Sequence, residues 1–300
     1  MQHLKIERNI NSIIRDWDDY EHFLQNKALY YKKFTITTRS KPRNMCEPQK
    51  GLKEVQKAVQ DELQEISLPS YINGFTIGRS VKTNADPHTG KAMVSCYDVE
   101  GFFPSIDAFK IRRGLKKFLS TNSTINLLTN LAEFENGLPQ GAPLSPVLAN
   151  MAFSMVDEKL VELASNNMGS YSRFADDFTI SSNDMGIRQL SRYVRLIVQD
   201  YGFELSTKKT RHNTQRRQQI VLGVIVNEKA QPTKGYRKLL KAKIHNAATS
   251  QDLISNTFLK ELEGQSAWVE MFNKHYAAKY LKPKLNIIKS RLKENKCHST

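Results

Sequence analysis

Cysteine is nearly absent from this chain. Its three cysteines, Cys46, Cys96 and Cys297, lie far apart, so neither a disulfide framework nor a zinc cluster has the residues it needs. A reducing cytoplasm is the compartment this usage fits. Long apolar runs are missing as well: no stretch approaches the ~18 apolar residues that span a bilayer. Met1 to Arg8 alternates charge with apolar side chains and opens no apolar leader. A soluble, cytoplasmic protein with no membrane partner is predicted. Internal repeats and low-complexity tracts are also lacking. Acid is in short supply, with 30 Asp and Glu against 45 Lys and Arg, a formal charge of +15 and a pI near 9.6. Such an excess of base is an electrostatic footprint for a polyanion, nucleic acid first of all. With 300 residues, 39% of them hydrophobic, the chain can bury a sizeable core in one large domain or two modest ones.

Periodicity divides the chain into strands and helices in an order that repeats no simple βαβ unit, so the fold class expected is α+β. Ile10, Ile13, Ile14, Trp17, Tyr20 and Phe23 carry helical spacing over residues 1–30. From Tyr30 to Pro48 short alternating runs predict a β-hairpin with an exposed basic loop at Arg39 to Arg43. Leu52, Val55, Val59 and Leu63 return to helical spacing, with Gln and Glu on the other face. Asn84 to Gly90 reads as a turn, and Ala92 to Tyr97 as a half-buried strand ending at Asp98. The glycines and prolines of Gly137 to Pro146 forbid regular structure until a helix starts near Pro146 and runs to about Ala164. A helix from about Met185 to Tyr201 and a strand pair around Ile220 to Val226 follow. Beyond Lys234 the chain reads as helical and strongly basic, and the domain change is placed near residue 230.

Phe174-Ala175-Asp176-Asp177 sets two adjacent carboxylates on a tight hairpin tip. Alone, an Asp-Asp pair is a common solvated turn. With Asp98 ending a second strand, three acids can form a two-metal site, since magnesium takes oxygen ligands and leaves positions for substrate phosphates.

Three blocks in order carry a resemblance: Asp98-x-x-x-Phe-Phe-Pro-Ser-Ile, then Leu138-Pro-Gln-Gly-Ala-Pro-x-Ser-Pro-x-Leu-Ala-Asn150, then Tyr171-x-Arg-Phe-Ala-Asp-Asp. They resemble the palm motifs of reverse transcriptases, over residues from about 30 to 245. The resemblance implies a right-hand polymerase with fingers, a palm built on an antiparallel sheet, and an α-helical thumb. Residues 1–90 would be N-terminal helices and fingers, with parts of 105–150 joining the fingers. Residues 91–230 would be the palm, and 231–300 the thumb and a basic tail. It implies Asp98, Asp176 and Asp177 as catalytic, metal-binding residues, joined in the metal site by Val99, with two Mg2+ ions, or Mn2+ in their place. Nucleotide binding would fall to Arg43 and Lys41 of the hairpin, to Phe103 as the bulky residue facing a 2'-hydroxyl, to Gln140 and Gly141, and to Lys208 or Lys209.

Asn84-Ala85-x-x-His88 resembles an element of bacterial retron reverse transcriptases. Val221-Leu222-Gly223 stands where those enzymes carry Val-Thr-Gly, and leucine lacks the hydroxyl that a threonine could use in a hydrogen bond. The basic run Lys234 to His245 resembles the retron thumb entry, with Arg237, Lys238, Lys241 and His245 able to follow phosphates while Leu239, Leu240 and Ile244 face the core. RNA contacts are therefore expected at Asn84, Ala85, His88, Val221, Gly223 and these thumb residues. The retron resemblance implies self-primed reverse transcription of a structured cognate RNA from a guanosine 2'-hydroxyl. The product is a branched RNA–DNA, made from dNTPs in anti-phage defence with a separate effector protein. Two alternatives stand beside it: another bacterial reverse transcriptase, of phage-defence or group II intron type, and a catalytically idle RNA-binding scaffold.

Overall fold

A computed structural model describes residues 2–37, 42–250 and 254–297. The N-terminal helices are α1 (Gln2–Arg15) and α2 (Tyr20–Gln25), followed by the antiparallel ribbon β1 (Tyr31–Thr37) and β2 (Pro42–Pro48). Ile6, Ile10 and Ile14 recur at four-residue spacing, and this stripe of α1 is buried. α3 (Lys50–Gln64) buries Leu52, Val59 and Leu63, but also Gln56. Gln56 does not face solvent with the other polar residues, because its amide donates inward to Leu131 O (3.1 Å) and Tyr31 Oη (3.2 Å).

α4 (Val81–Ala85) and a 3-10 turn (Asp86–His88) lead into β3 (Met93–Asp98), so the segment expected as a plain turn is largely helical. The Ser80 hydroxyl accepts from Thr83 N and the Thr83 hydroxyl from Ser80 N, a reciprocal cap that nucleates even this short helix. α5 (Ala108–Leu115), α6 (Asn122–Ala132) and the long α7 (Ser145–Asn166) come next. α7 is buried on most sides, from Val147 through Leu160, and passes under the sheet. Gly114 of α5 is required where it lies, since a Cβ there would sit 2.4 Å from Ala152 Cα of α7.

β4 (Gly169–Phe174), β5 (Asp177–Ser182) and β6 (Arg211–Thr214) complete a four-stranded sheet, whose order is β4-β5-β3-β6, antiparallel throughout, with α8 (Ser191–Asp200) between β5 and β6 in the chain. β3 was expected to be half-buried, yet five of its six residues are buried. Met93 and Tyr97 face the main core, and Val94 and Cys96 face a second core made with Ala85, Val221, Val224 and Val226. Val221 and Val224 belong to a small sheet of β7 (Ile220–Val221), β8 (Val224–Ile225) and β9 (Gln231–Pro232), and Val226 directly follows β8.

The C-terminal bundle is α9 (Lys234–Thr249), α10 (Asn256–Phe272), α11 (Lys274–Tyr276), a π-helical turn (Ala277–Leu281) and α12 (Lys282–Cys297). It has a core of its own, in which Leu240, Ile244, Leu262, Val269, Leu281 and Ile288 are buried. Leu239, expected to face this core, is 70% exposed, because it precedes the inward row of Leu240 and Ile244 by one residue. The main core runs from Ile6 to Leu205 without interruption, so the N-terminal helices and the four-stranded sheet share one interior. Among the described residues no helix is long and apolar enough to cross a membrane.

Candidate active site

The hairpin between β4 and β5 turns on Ala175 and Asp176, with Phe174 paired to Asp177. Ala175 takes φ +57, the left-handed region that a non-glycine residue enters at a cost. Asp177 is the register partner of Asp98 across β5 and β3, and residues directly opposite on antiparallel strands project from the same face. The turn is locked to β3 by Val99 N donating to Asp176 O (2.9 Å). Asp98 is 5% exposed, and Lys209 Nζ donates to its Oδ2 at 2.6 Å.

Burial, and then the charges of Asp176 and Asp98, push the Asp177 carboxyl up to about 6. Asp176 is raised by burial and by Asp98, against the pull of Lys209 and Arg43. The hydrogen bond to Asp98 raises Lys209. Three acids thus meet one close ammonium, and the surplus negative charge is of the kind a divalent cation neutralises. The donor set is all oxygen, which fits magnesium. Among the described residues no three His, Cys, Asp or Glu side chains are gathered closely enough to hold an ion unaided. Carboxylates that repel one another, one of them tied to Lys209, stay apart without a cation, and substrate phosphates supply further ligands in such sites.

Behind the turn lies a network that periodicity did not flag. Arg173 is fully buried and makes a two-point ion pair with Asp157 of α7, Nε to Oδ1 at 2.7 Å and Nη2 to Oδ2 at 2.8 Å. Its Nη1 donates to Ala175 O in the turn (3.1 Å) and to Asn150 Oδ1 (2.9 Å), while Asn150 Nδ2 donates to Gly74 O (2.8 Å). Tyr171 Oη adds a hydrogen bond of 2.5 Å to Asp157. The signal for this in the sequence was an aspartate on the helical row shared with Phe153, Val156 and Leu160, and an arginine inside a strand. Gly74 packs directly on the hairpin, where a Cβ would lie 2.4 Å from Ala175 N.

The family profile described as reverse transcriptase (RNA-dependent DNA polymerase) matches residues 31–226. The chain belongs to the reverse transcriptase family. It is 30% identical over 278 residues to the retron Mx65 reverse transcriptase of Myxococcus xanthus, covering 85% of this chain and 64% of that protein. The retron Se72 reverse transcriptase of Salmonella heidelberg is 31% identical, with 65% of this chain and 52% of that protein covered. For the retron Ec86 reverse transcriptase of Escherichia coli the figures are 32%, 72% and 69%. The chain therefore spans less than two thirds of the length of the first two relatives. A telomerase from Candida albicans, solved with a TWJ fragment of telomeric RNA, shares the fold with a TM-score of 0.52 at 12% identity, covering 89% of this chain and 61% of that one. The α+β architecture is that of a right-hand polymerase.

Within this reverse-transcriptase frame the remaining candidates separate. Arg43 is exposed on β2, with its charge felt at Asp176. Lys41 lies outside the described residues. Cys46 N donates to Gln140 O (2.7 Å), which fastens the β1–β2 ribbon to the loop of Gln140 and Gly141. Gly141 holds φ +115 there. Phe102 is 3% exposed while Phe103 is half-buried, its ring 6.2 Å from that of Phe75. Lys208 is exposed and has no part in the carboxylate cluster, where Lys209 stands instead.

Four residues expected to contact RNA are buried. Asn84, Ala85, His88 and Val221 are 1%, 0%, 0% and 0% exposed, so they face the interior of the fold rather than solvent. They are internal supports. The Ser172 hydroxyl donates to Asn84 O (2.9 Å), so its oxygen receives the His88 Nε2–H (2.7 Å), and His88 Nδ1 then accepts from the Ser181 hydroxyl (2.7 Å). Gly223 is exposed, in a two-residue turn where Leu222 (φ +49) and Gly223 (φ +79) are both left-handed, as a type I′ hairpin requires.

The thumb residues form matched rungs across two segments. Arg237 lies over the Tyr276 ring (5.3 Å), Lys241 over Tyr280 (4.3 Å), and His245 meets Lys284 Nζ at 2.7 Å. Tyrosine faces hold the cations in place by cation–π attraction, and Lys238 and His245 are exposed beside them.

Proposed function

We propose that the protein is a retron-type RNA-directed DNA polymerase of the bacterial cytoplasm. It copies a structured cognate non-coding RNA from dNTPs, self-primed at a guanosine 2'-hydroxyl, into a branched RNA–DNA, and acts with a separate effector in anti-phage defence. The observation that carries this reading is the pairing of Asp98 with Asp177 across the sheet, with Asp176 on the adjoining turn and Lys209 against Asp98. The retron reverse transcriptases at about 30% identity support the branch.

In this reading Asp98, Asp176, Asp177 and the main chain at Val99 would hold two Mg2+ or Mn2+ ions. Bound there, the ions would supply Lewis acidity toward the primer hydroxyl and positive charge to offset that of the triphosphate. Arg43 and Lys209, whose charges both reach Asp176, meet the triphosphate, Lys41 assists, and Phe103 crowds a 2'-hydroxyl. Gln140 and Gly141 line the pocket for the nucleotide. The rungs at Arg237, Lys241 and His245, with Lys238, run along a strand of the hybrid, whose backbone and 2'-hydroxyls are its main recognition features.

The test is to express the chain with its native flanking DNA and compare co-purifying nucleic acid from wild type and from Asp176→Asn/Asp177→Asn, after RNase or DNase. One discrete small DNA joined to RNA, absent from the variant while RNA binding persists, is the expected result. DNA without attached RNA would point to another branch of the family, and RNA alone from both proteins would make the chain a scaffold.

A further inference from the structure

Phe75 is a large apolar side chain that the core does not use. It is 45% exposed and its backbone sits at φ +58, a left-handed region that an ordinary L-residue enters only at a cost. Neither hydrophobic burial nor backbone ease explains a phenylalanine here, and outliers of this kind cluster at functional sites. Its place is fixed from two directions. Gly74, immediately before it, packs on Ala175 N of the carboxylate hairpin and has its carbonyl held by Asn150. Its ring lies 6.2 Å from the half-buried ring of Phe103. The loop that carries it is braced by Arg79, whose guanidinium donates to Leu68 O (2.7 Å), Ile72 O (2.8 Å) and Pro69 O.

A rigid, exposed aromatic ring beside a phosphate-handling carboxylate cluster is suited to the apolar part of a nucleotide, because bases and sugars present faces that stack on and pack against aromatic rings. We propose that Phe75 contacts the incoming nucleotide, its ring and that of Phe103 forming one apolar wall for the sugar and base. This rests on the polymerase reading above and adds to it a residue that sets nucleotide affinity. Loss of the ring lowers ground-state binding of the nucleotide and leaves the carboxylates in place.

Steady-state addition of dNTPs to a primed template tests this on the full chain, with Phe75→Ala, Phe75→Gly and Phe75→Tyr. The Ala and Gly variants are expected to raise KM for dNTP by about tenfold with kcat within a few-fold of wild type, as loss of one stacking contact implies. Phe75→Tyr retains the ring and keeps the wild-type KM. Phe75→Gly relaxes the positive φ, so it stays folded even if Phe75→Ala does not. Wild-type KM in both ring-less variants would overturn the proposal. So would an unchanged KM with weakened template–primer binding in the absence of nucleotide, which would assign the ring to the template. A wild-type chain that binds RNA but adds no nucleotide would instead remove the polymerase reading, and this inference with it.

Discussion

Acidification should destabilise this fold through His88. The imidazole is fully buried between Ser172 and Ser181 in its neutral form, and burial, with a smaller push from Lys91, takes its pKa from 6.5 down to about 3. Between those values the unfolded chain binds a proton that the folded chain refuses, so stability falls as pH falls from about 6.5 towards about 3. From pH ~7 to pH ~5 the loss from this one residue is about 2 kcal/mol, at ~1.4 kcal/mol per pH unit below the unfolded pKa. Asp177, raised to about 6, works in the opposite sense, because the folded state takes up its proton first. The His88 contribution is therefore read as a difference. Urea unfolding followed by circular dichroism on wild type and His88→Gln, at both pH values, isolates it. The glutamine variant is expected to start less stable near neutrality, having lost the two-sided fit to the serines, and to lose about 2 kcal/mol less than wild type on acidification. Equal losses in the two proteins would refute the claim that a neutral imidazole is locked in the palm.

Other outcomes follow from the carboxylate site and its supports. Lys209→Ala should lower kcat by about 100-fold if its ammonium meets transition-state charge, whereas Lys208→Ala should leave it near wild type, which single-turnover primer extension can resolve. Gly74→Ala places a Cβ 2.4 Å from Ala175 N. A hairpin pushed aside by an ångström should lose activity by about 100-fold, with circular dichroism showing the fold intact. Asp157→Asn breaks a buried ion pair and should cost about 3 kcal/mol or more in urea unfolding. Arg237→Ala or Lys241→Ala should weaken RNA binding and reduce the slope of log K against log salt by about 1 each.

The carboxylate hairpin was legible because its pattern is local. Asp176 lies on a two-residue turn between two short strands and Asp177 opens the second of them, and Pro146 marks a helix that does begin at Ser145. What stayed hidden depended on distant partners. β3 alternates like a strand with one wet face, but its second face is covered by valines more than a hundred residues further on. His88 looks like a polar residue available to a ligand until Ser172 and Ser181, over eighty residues away, are brought in to satisfy it, and Asn84 until Asn73 Nδ2 donates to its Oδ1. Lys208 and Lys209 are indistinguishable by composition, and only the three-dimensional position of Asp98 separates them. Leu239 and Leu240 differ by one position on a helix, within the error of any boundary drawn from periodicity. Arg173 left a trace, an arginine and an aspartate each in apolar surroundings, which spacing alone could not pair.

The C-terminal bundle keeps its hydrophobic interior apart from the one beneath the carboxylates, and Trp268 is packed against both the bundle core and the valine core of the small sheet. Such a layout separates two kinds of evolutionary change. On the proposed reading, in which the bundle holds nucleic acid, substitutions along its outward rows would alter which nucleic acid is held without disturbing the residues that set the carboxylates, since no buried side chain is shared between the bundle core and the main core. A lineage would thereby exchange one RNA partner for another while the proposed polymerising chemistry is inherited unchanged, with Trp268 as the position where the two histories meet.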